Sequence, residues 1–289
     1  MSRKFVYYGT GRSGVAFLNP AIDWSLRNNT QGYNGAYIRV RRASDNEEID
    51  VSGVNNELDV ANMLAWGGGS DIRVLRIYNK GFFGAGFDLV QTSGGSQPFI
   101  VKNGDLVTVN GKVAIDFSGG NFRLGTGGAQ THQIGILDNN SVLSTVFESQ
   151  ATGGSTGFED LQGVIQEGMS NTSTRIVIFS DTRSVAFIHT NYSPTSSQAL
   201  SFPNQQPTST QRQFSYKREG NLVEAYAENQ FVDSLSTTAQ FPEGNKAFNL
   251  GLQRTGNFFF NGKWQETLID TDQTKRELID TNQINFYGV

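Results

Sequence analysis

The chain has 289 residues and a formal net charge of −4, with a pI near 5.3. It contains no cysteine, which excludes a disulfide framework, thiolate metal sites and cysteine nucleophiles. The acidic balance argues against nucleic acid as a partner, and no apolar run approaches the roughly 18 residues that a membrane span needs, so no membrane insertion is expected.

Charged residues make up 17% of the chain, against about a quarter in an ordinary globular domain. Ser, Thr, Asn and Gln fill the gap, beside 33 Gly and 21 Phe. Aromatic residues favour strands and Gly and Asn favour turns, so the expected class is all-β. Met1-Ser2-Arg3-Lys4 opens the chain without an apolar core of signal-peptide length, which predicts synthesis in the cytoplasm without a secretory leader.

Residues 1–22 are expected to form an N-terminal arm and residues 23–289 one domain. Phe5-Val6-Tyr7-Tyr8 reads as a short strand, followed by Gly9, Gly11 and Gly14. Two readings stand for this stretch: an ordinary first strand with its loop, or an extended arm docked on a neighbouring subunit. Gly9-x-Gly11-x-x-Gly14 matches a dinucleotide fingerprint by letter, but Asn19-Pro20 cuts it off before any helix.

Over 35–42, Tyr37, Arg39 and Arg41 alternate with Ile38 and Val40, the mark of a half-buried strand. Arg39, Arg41 and Arg42 precede Asp45, Glu47, Glu48 and Asp50. The cluster reads as a locally neutralised, solvated strand and turn; its alternative is an anion or phosphate clamp. A helix is predicted over 57–66, with Leu58, Ala61, Leu64 and Ala65 on one face and Gly67 as the stop. A buried strand, 72–78, follows.

From residue 80 the pattern is strand and loop. Asn110-Gly111 between Val109 and Lys112 reads as a tight hairpin, and Asn261-Gly262 repeats the device. Strands are predicted near 98–101, 105–109, 112–117, 131–137, 142–148, 174–179, 184–189, 211–217, 222–228, 247–252 and 258–269. The longest polar connection, 193–210, reads as a contact loop. A closing helix starts at the capping box Thr274-x-x-Glu277 and turns Leu278, Ile279 and Ile284 to the sheet. There is no internal repeat and no heptad, so a long fibrous shaft is not encoded.

Glycoside hydrolysis needs two carboxylates about 5–9.5 Å apart. Glu148, Glu159, Asp160, Glu167 and Asp181 are the candidates by position, but no motif pairs them. No catalytic residue is assigned and the chain is read as no enzyme. His132 and His189 lack zinc spacing and no Gly-x-Ser-x-Gly elbow exists, so no metal ligand is assigned. Asp138-Asn139-Asn140 and Asp270-Thr271-Asp272 are the stretches that could serve calcium, against turn and cap chemistry as the plainer reading. For a sugar the largest platforms are Trp24, Trp66 and Trp264, with Trp66 and Trp264 expected in the core. Tyr192, Tyr216 and Tyr226 are better placed near loops or alternating strands and are the ligand-binding candidates.

Ala36-Tyr37-Ile38-Arg39-Val40-Arg41-Arg42-Ala43-Ser44-Asp45-Asn46-Glu47, the Leu58–Leu64 segment, Ile77-Tyr78 and Val109-Asn110-Gly111-Lys112 come in a distinctive order. They resemble the opening of the arabinofuranosidase B catalytic domain and, more closely, a group of bacteriophage structural proteins that share it. Phe258-Phe259-Phe260-Asn261-Gly262-Lys263, Arg276-Glu277-Leu278-Ile279 and Asn285-Phe286-Tyr287-Gly288 are similar to the ending of phage laminin-G-like jelly rolls. The resemblance implies a concanavalin/laminin-G-like jelly-roll β-sandwich with one or two short peripheral helices. It implies a virion structural protein, a capsid decoration, tail or fibre-tip component made in the host cytoplasm. Its partners would be other virion proteins and further copies of itself, with a host cell-surface glycan as a possible ligand. The alternative is a carbohydrate-binding module or a glycoside hydrolase related to arabinofuranosidases. The hydrolase site is built partly around an adjacent cysteine pair, which this chain lacks. Where relatives carry Tyr-Asp-Gln-Ser-Gly, this chain reads Tyr78-Asn79-Lys80-Gly81.

Overall fold

The computed structural model describes residues 17–126, 137, 140–149, 161–167, 172–179, 186–191, 198–201, 210–236, 248–253 and 258–289, with the backbone alone described over 161–201 and 252–259. Antiparallel strands form two hydrogen-bonded stacks that face each other as a β-sandwich. The first stack runs Gln230–Ser236, Leu222–Ala227, Gln211–Glu219, Ser141–Ser149, Gly262–Asp270, Ile22–Ser25. The second runs Glu48–Val54, Ala36–Arg42, Ile72–Ile77, Leu89–Val90, Leu124–Gly125, Phe248–Leu250, Leu161–Glu167, Thr172–Phe179, Ala186–Asn191, Gln198–Ser201. Strand Phe99–Lys102 joins them, pairing with Ile72–Ile77 on one side and Ile115–Asp116 on the other.

The space between the stacks is filled by aromatic rings. Trp24 meets Phe248 edge-on at 5.2 Å, Phe147 stacks on Phe214 at 5.4 Å, and Phe260 lies 5.9 Å from Phe117. All six are buried, and burying such a ring is worth a few kcal/mol by its area alone, roughly 25 cal/mol per Å². Trp264, expected in the core, is fully buried and its indole donates to Thr267 Oγ1 at 2.9 Å.

Asn110-Gly111 forms the predicted hairpin, with φ of 49° and 74° matching the left-handed pair a two-residue turn needs. Asn103-Gly104 forms another, with φ of 55° and 82° between Lys102 and Asp105. Asn261-Gly262 does not turn. Gly262 opens the long strand Gly262–Asp270, and a Cβ there would collide with the Glu148 carbonyl and the Phe260 ring. Its glycine serves close approach, which has the same letters as a turn.

Helix α1 spans Val60–Gly67, capped by the Asp59 carboxylate on Asn62 N and closed by Gly68 in the left-handed conformation. Glu57 and Leu58 form a two-residue strand instead of the predicted first turn. Met63 and Gly67 face the core, while Ala61, Leu64 and Ala65, predicted inward, are exposed. Leu58 is buried from the strand, which shifted the apparent helical face.

Helix α2 spans Arg276–Tyr287 and packs on the outer face of strands Ser141–Ser149 and Gln211–Glu219. Ile279 is buried with Leu18, Val142 and Leu268, while Leu278 is exposed and Ile284 half-buried. Part of the contact is polar. The buried Asp280 accepts from Ser144 Oγ at 2.7 Å, Gln213 Nε2 at 2.7 Å and Ser215 Oγ at 2.6 Å, and Gln283 accepts from Ser144 at 2.6 Å.

Residues 1–16 of the expected arm lie outside the described residues. Its last part belongs to the sandwich: Leu18, Ala21 and Ile22 are buried, so the boundary at 22 falls inside packed structure. The 193–210 connection contains a paired strand, Gln198–Ser201. The predicted strand 131–137 falls, except for Leu137, outside the described residues.

Candidate functional site

Three neighbouring strands of the second stack present a polar outer face. Ile38, Val40, Val51, Val74 and Ile77 fill the inner side, so alternation sends Arg39, Arg41, Asp50, Arg73 and Arg76 outward. Register then sets the pairs. Arg39 lies opposite Asp50 on one neighbour and Arg76 on the other, and Arg41 lies between Glu48 and Arg73. Tyr37, predicted on the arginine face, is buried, and its hydroxyl occupies the space that a Cβ on Gly53 would take. A register shift between Ala36 and Ile38 turns it inward.

The predicted neutralisation is present. Arg41 donates to Glu48 at 2.6 Å, and Arg42 to Asp45 at 2.6 Å and Glu47 at 2.8 Å. Arg73 donates to the carbonyls of Gly94 and Gln97, both at 3.1 Å, with its guanidinium 4.1 Å above the Phe99 ring. Arg39 pairs with Asp50 at 3.0 Å, and the Tyr78 hydroxyl donates to the same carboxylate at 2.7 Å. Arg76 differs. Among the described residues it makes no hydrogen bond, its Nε is buried without a partner, and its guanidinium sits 5.4 Å from the Tyr78 ring centre. It is ion-paired with Asp88 Oδ2 at 3.6 Å; the Asp88 carboxylate is buried, and its other oxygen accepts from the Asn79 N–H at 2.8 Å.

Arg39, Asp50, Arg76 and Tyr78 thus form a partly open cluster with one aromatic ring and fixed polar heads. Burial pushes the Tyr78 hydroxyl up to about 12, reinforced by its hydrogen bond to Asp50, so it stays a donor at neutral pH. Burial also pushes the Asp88 carboxyl above its ordinary value, against the Asn79 N–H and the Arg76 charge.

The loop 79–88 is fastened beside this cluster. Asn79 Oδ1 accepts from Asp23 N at 2.8 Å and Gly81 N at 2.9 Å, while its Nδ2 donates to the Gly84 carbonyl at 2.9 Å. A carboxylate could not make the last bond, which gives the Asn at this motif position a physical reason. Lys80 runs into the interior, where Nζ donates to the Ser25 carbonyl at 2.7 Å and faces Asp23 at 3.4 Å. Phe82 and Phe83 donate their N–H groups to the carbonyls of Pro20 and Ala21. The result is a rigid exposed aromatic ridge: Phe82 is 61% and Phe83 37% accessible, and Phe83 stacks on Phe87 at 5.2 Å. The Trp24 indole, donating to the Phe87 carbonyl at 2.7 Å, ties the ridge to the core.

Behind the loop lies a buried ionic network. Arg27 makes two bonds to Glu266, and Asn29 and Tyr287 also donate to that carboxylate, at 3.2 Å each. Burial alone would raise the Glu266 carboxyl, but the charge and hydrogen bonds of Arg27 hold it below its ordinary value.

The structure does not bring the three predicted tyrosines together. Tyr216 is 1% exposed in the core, donating to the Leu137 carbonyl at 3.0 Å, and is no surface platform. It occupies an inward position of its strand, paired with Ala225, which the alternation left ambiguous. Tyr226 faces outward, but the Arg276 guanidinium lies 3.8 Å over its ring and Phe231 meets it edge-on at 5.8 Å. Tyr192 lies outside the described residues, as do Glu159, Asp160, Asp181, His132 and Gly9–Gly14. Glu167 and His189 lie in strands whose backbone alone is described. Glu148 is paired with Lys263 at 3.4 Å. Asp270 pairs with Lys275 and accepts from Asp272 N, and Asp272 caps Thr274, so this oxygen-rich stretch works as turn and cap. Among the described residues no three His, Asp or Glu side chains gather as a metal site. The aromatic ridge escaped the sequence reading. Its signal was Gly81-Phe82-Phe83-Gly84-Ala85-Gly86-Phe87, large apolar residues among glycines without strand periodicity.

No protein-family model matches the chain, and no curated protein matches it. Solved structures do. An arabinofuranosidase complexed with arabinofuranosyl-α-1,2-xylobiose aligns at TM-score 0.57 and 14% identity, over 91% of this chain and 62% of its own. A family GH54 α-L-arabinofuranosidase mutant soaked with 4-nitrophenyl α-L-arabinofuranoside aligns at 0.58 and 13%, over the same shares. The binding domain of botulinum neurotoxin serotype D aligns at 0.51 and 10%, over 86% of this chain and 52% of its own. The chain therefore spans about three-fifths of the arabinofuranosidases it matches. At these identities the likeness is one of fold: the chain is a mostly antiparallel β-sandwich of the architecture seen in those hydrolase and binding domains.

Proposed function

We propose that this chain is a carbohydrate-binding β-sandwich without hydrolytic activity. The observation that carries the reading is the Arg39–Asp50–Tyr78 cluster: one carboxylate held by an arginine and by the phenol of Tyr78, which also supplies the aromatic ring, on an exposed sheet face. Such groups exchange hydrogen bonds with sugar hydroxyls while a ring takes the C–H face. That two of the aligned structures hold arabinose-containing ligands is compatible with the reading. The absence of hydrolysis is proposed because, among the described residues, the carboxylates of Glu148, Asp50, Asp88, Asp116, Glu266 and Asp270 are each engaged by a cation or hydrogen-bond donors. The test is a glycan array probed with the wild-type chain and with Asp50→Ala. Glycan signals that Asp50→Ala removes support the proposal; a blank array, or signals indifferent to the substitution, overturns it.

The exposed Phe82–Phe83 ridge favours a second reading, that the module is built into a larger assembly such as a virion, since rigid exposed aromatic patches mark interaction surfaces. Light scattering on the purified chain tests self-assembly through the ridge.

A further inference from the structure

We propose that Arg76 is the receptor for a carboxylate, and that the saccharide recognised is an acidic one, such as a uronic-acid oligomer. The inference deepens the carbohydrate-binding reading and rests on it.

Register sets two pairs of arginines against one another. Arg39 and Arg76 stand directly opposite one another on adjacent strands, and so do Arg41 and Arg73. Like charges in that position repel, and a sheet tolerates them when each is compensated. Three of the four are hydrogen-bonded to their partners. Arg39 has Asp50, Arg41 has Glu48, and Arg73 has two backbone carbonyls and an aromatic ring. Arg76 is ion-paired with the buried Asp88, Nη1 to Oδ2 at 3.6 Å, but makes no hydrogen bond to it, and the other oxygen of that carboxylate accepts from the Asn79 amide. The Arg76 side chain is 35% exposed. An arginine fork with unused donors, on a polar face, beside a second arginine, matches the planar two-oxygen geometry of a carboxylate.

The ring of Tyr78 borders the fork and its hydroxyl donates to Asp50, which links hydroxyl-recognising groups to the carboxylate receptor. A sugar acid carries both functions on one ring. An acidic peptide side chain carries only the first, which is why the saccharide is the occupant proposed.

The experiment titrates hexagalacturonate and neutral xylohexaose into wild-type chain, Arg76→Gln and Arg76→Lys, followed by calorimetry at low and high salt. Unchanged thermal unfolding of both variants shows that the surface substitutions leave the fold intact. The expected result is that hexagalacturonate binds wild type and weakens about tenfold or more in Arg76→Gln, as losing one two-point charged contact predicts. Arg76→Lys recovers part of the affinity, and salt weakens the acidic ligand but not the neutral one. Equal binding of hexagalacturonate by wild type and Arg76→Gln overturns the inference alone. Binding of xylohexaose without hexagalacturonate also overturns it, and leaves the carbohydrate reading standing. Binding of neither, with Arg76-dependent capture of a glutamate-rich peptide, overturns both and reassigns the carboxylate to a protein.

Discussion

Arg27 and Glu266 face each other inside the sandwich as a two-point ion pair, at 2.7 and 2.8 Å, with neither side chain more than 3% exposed. They stand 239 residues apart in sequence and fasten the first described turn to the last strand. Glu266→Gln leaves the Arg27 charge buried without its counter-charge. Urea unfolding at neutral pH is expected to show a loss of about 3–5 kcal/mol.

The pH dependence of stability should have two opposed parts. Glu266 is held below its ordinary 4.5, so the stability it contributes is full above that value and is lost as pH falls through the folded value. Asp280 is raised by burial, so folding costs stability above its ordinary 3.8 and acid relieves that cost. Unfolding free energies from pH 7 to pH 3 should therefore fall less in Glu266→Gln, and fall more steeply in Asp280→Asn, than in wild type. Parallel curves for all three would refute the assignment.

Two glycines that read alike should respond differently to alanine. Gly111 has φ of 74° with open space around it, so Gly111→Ala carries only the left-handed cost of about 1–2 kcal/mol. In Gly262→Ala the new methyl meets the Glu148 carbonyl and the Phe260 ring, which forces the strands apart. The expected loss is about 3 kcal/mol or more, measured by the same denaturant curves.

Asn79→Asp removes the donor to the Gly84 carbonyl and sets a negative charge beside it. Loosening of the loop should expose the bonds after Phe82 and Phe83 to chymotrypsin. Cleavage about tenfold faster than wild type, with stability lowered by about 1–3 kcal/mol, is the expected outcome.

Phe82→Ser should leave stability within about 0.5 kcal/mol, because the ring is largely in solvent. Phe147→Ala, in the core between Phe214 and Phe260, should cost about 3–5 kcal/mol. If the ridge mediates self-assembly, light scattering will show a larger wild-type mass that Phe82→Ser reduces.

The class of fold was legible because it rests on local signals. Alternation placed Ile38 and Val40 inward, Asn110-Gly111 made the hairpin its letters promise, and aromatic richness filled a sandwich core. Strands Glu48–Val54 and Gln230–Ser236 were hidden because they lie mostly toward solvent and interrupt their apolar residues with polar ones. The Arg39, Asp50 and Tyr78 positions were each visible, but their convergence depends on a register that no local pattern prints. The aromatic ridge depends on Lys80 and Asn79 anchoring a glycine-rich stretch in the interior, a tertiary effect. Tyr216 turned inward because period two says that faces differ without saying which is covered, and the Arg276 guanidinium over the Tyr226 ring is a tertiary contact that no local pattern shows.

The underside of α2 has a consequence for how the last segment recognises its seat. An apolar stripe can slide by half a turn and still exclude water. Asp280 and Gln283 cannot, because the hydroxyls of Ser144 and Ser215 and the amide of Gln213 donate to them at one position only. The helix works as a key cut for this sheet. A chain ending before Arg276 should be completed by a synthetic peptide of the missing segment, and refuse the same peptide carrying Asp280→Leu.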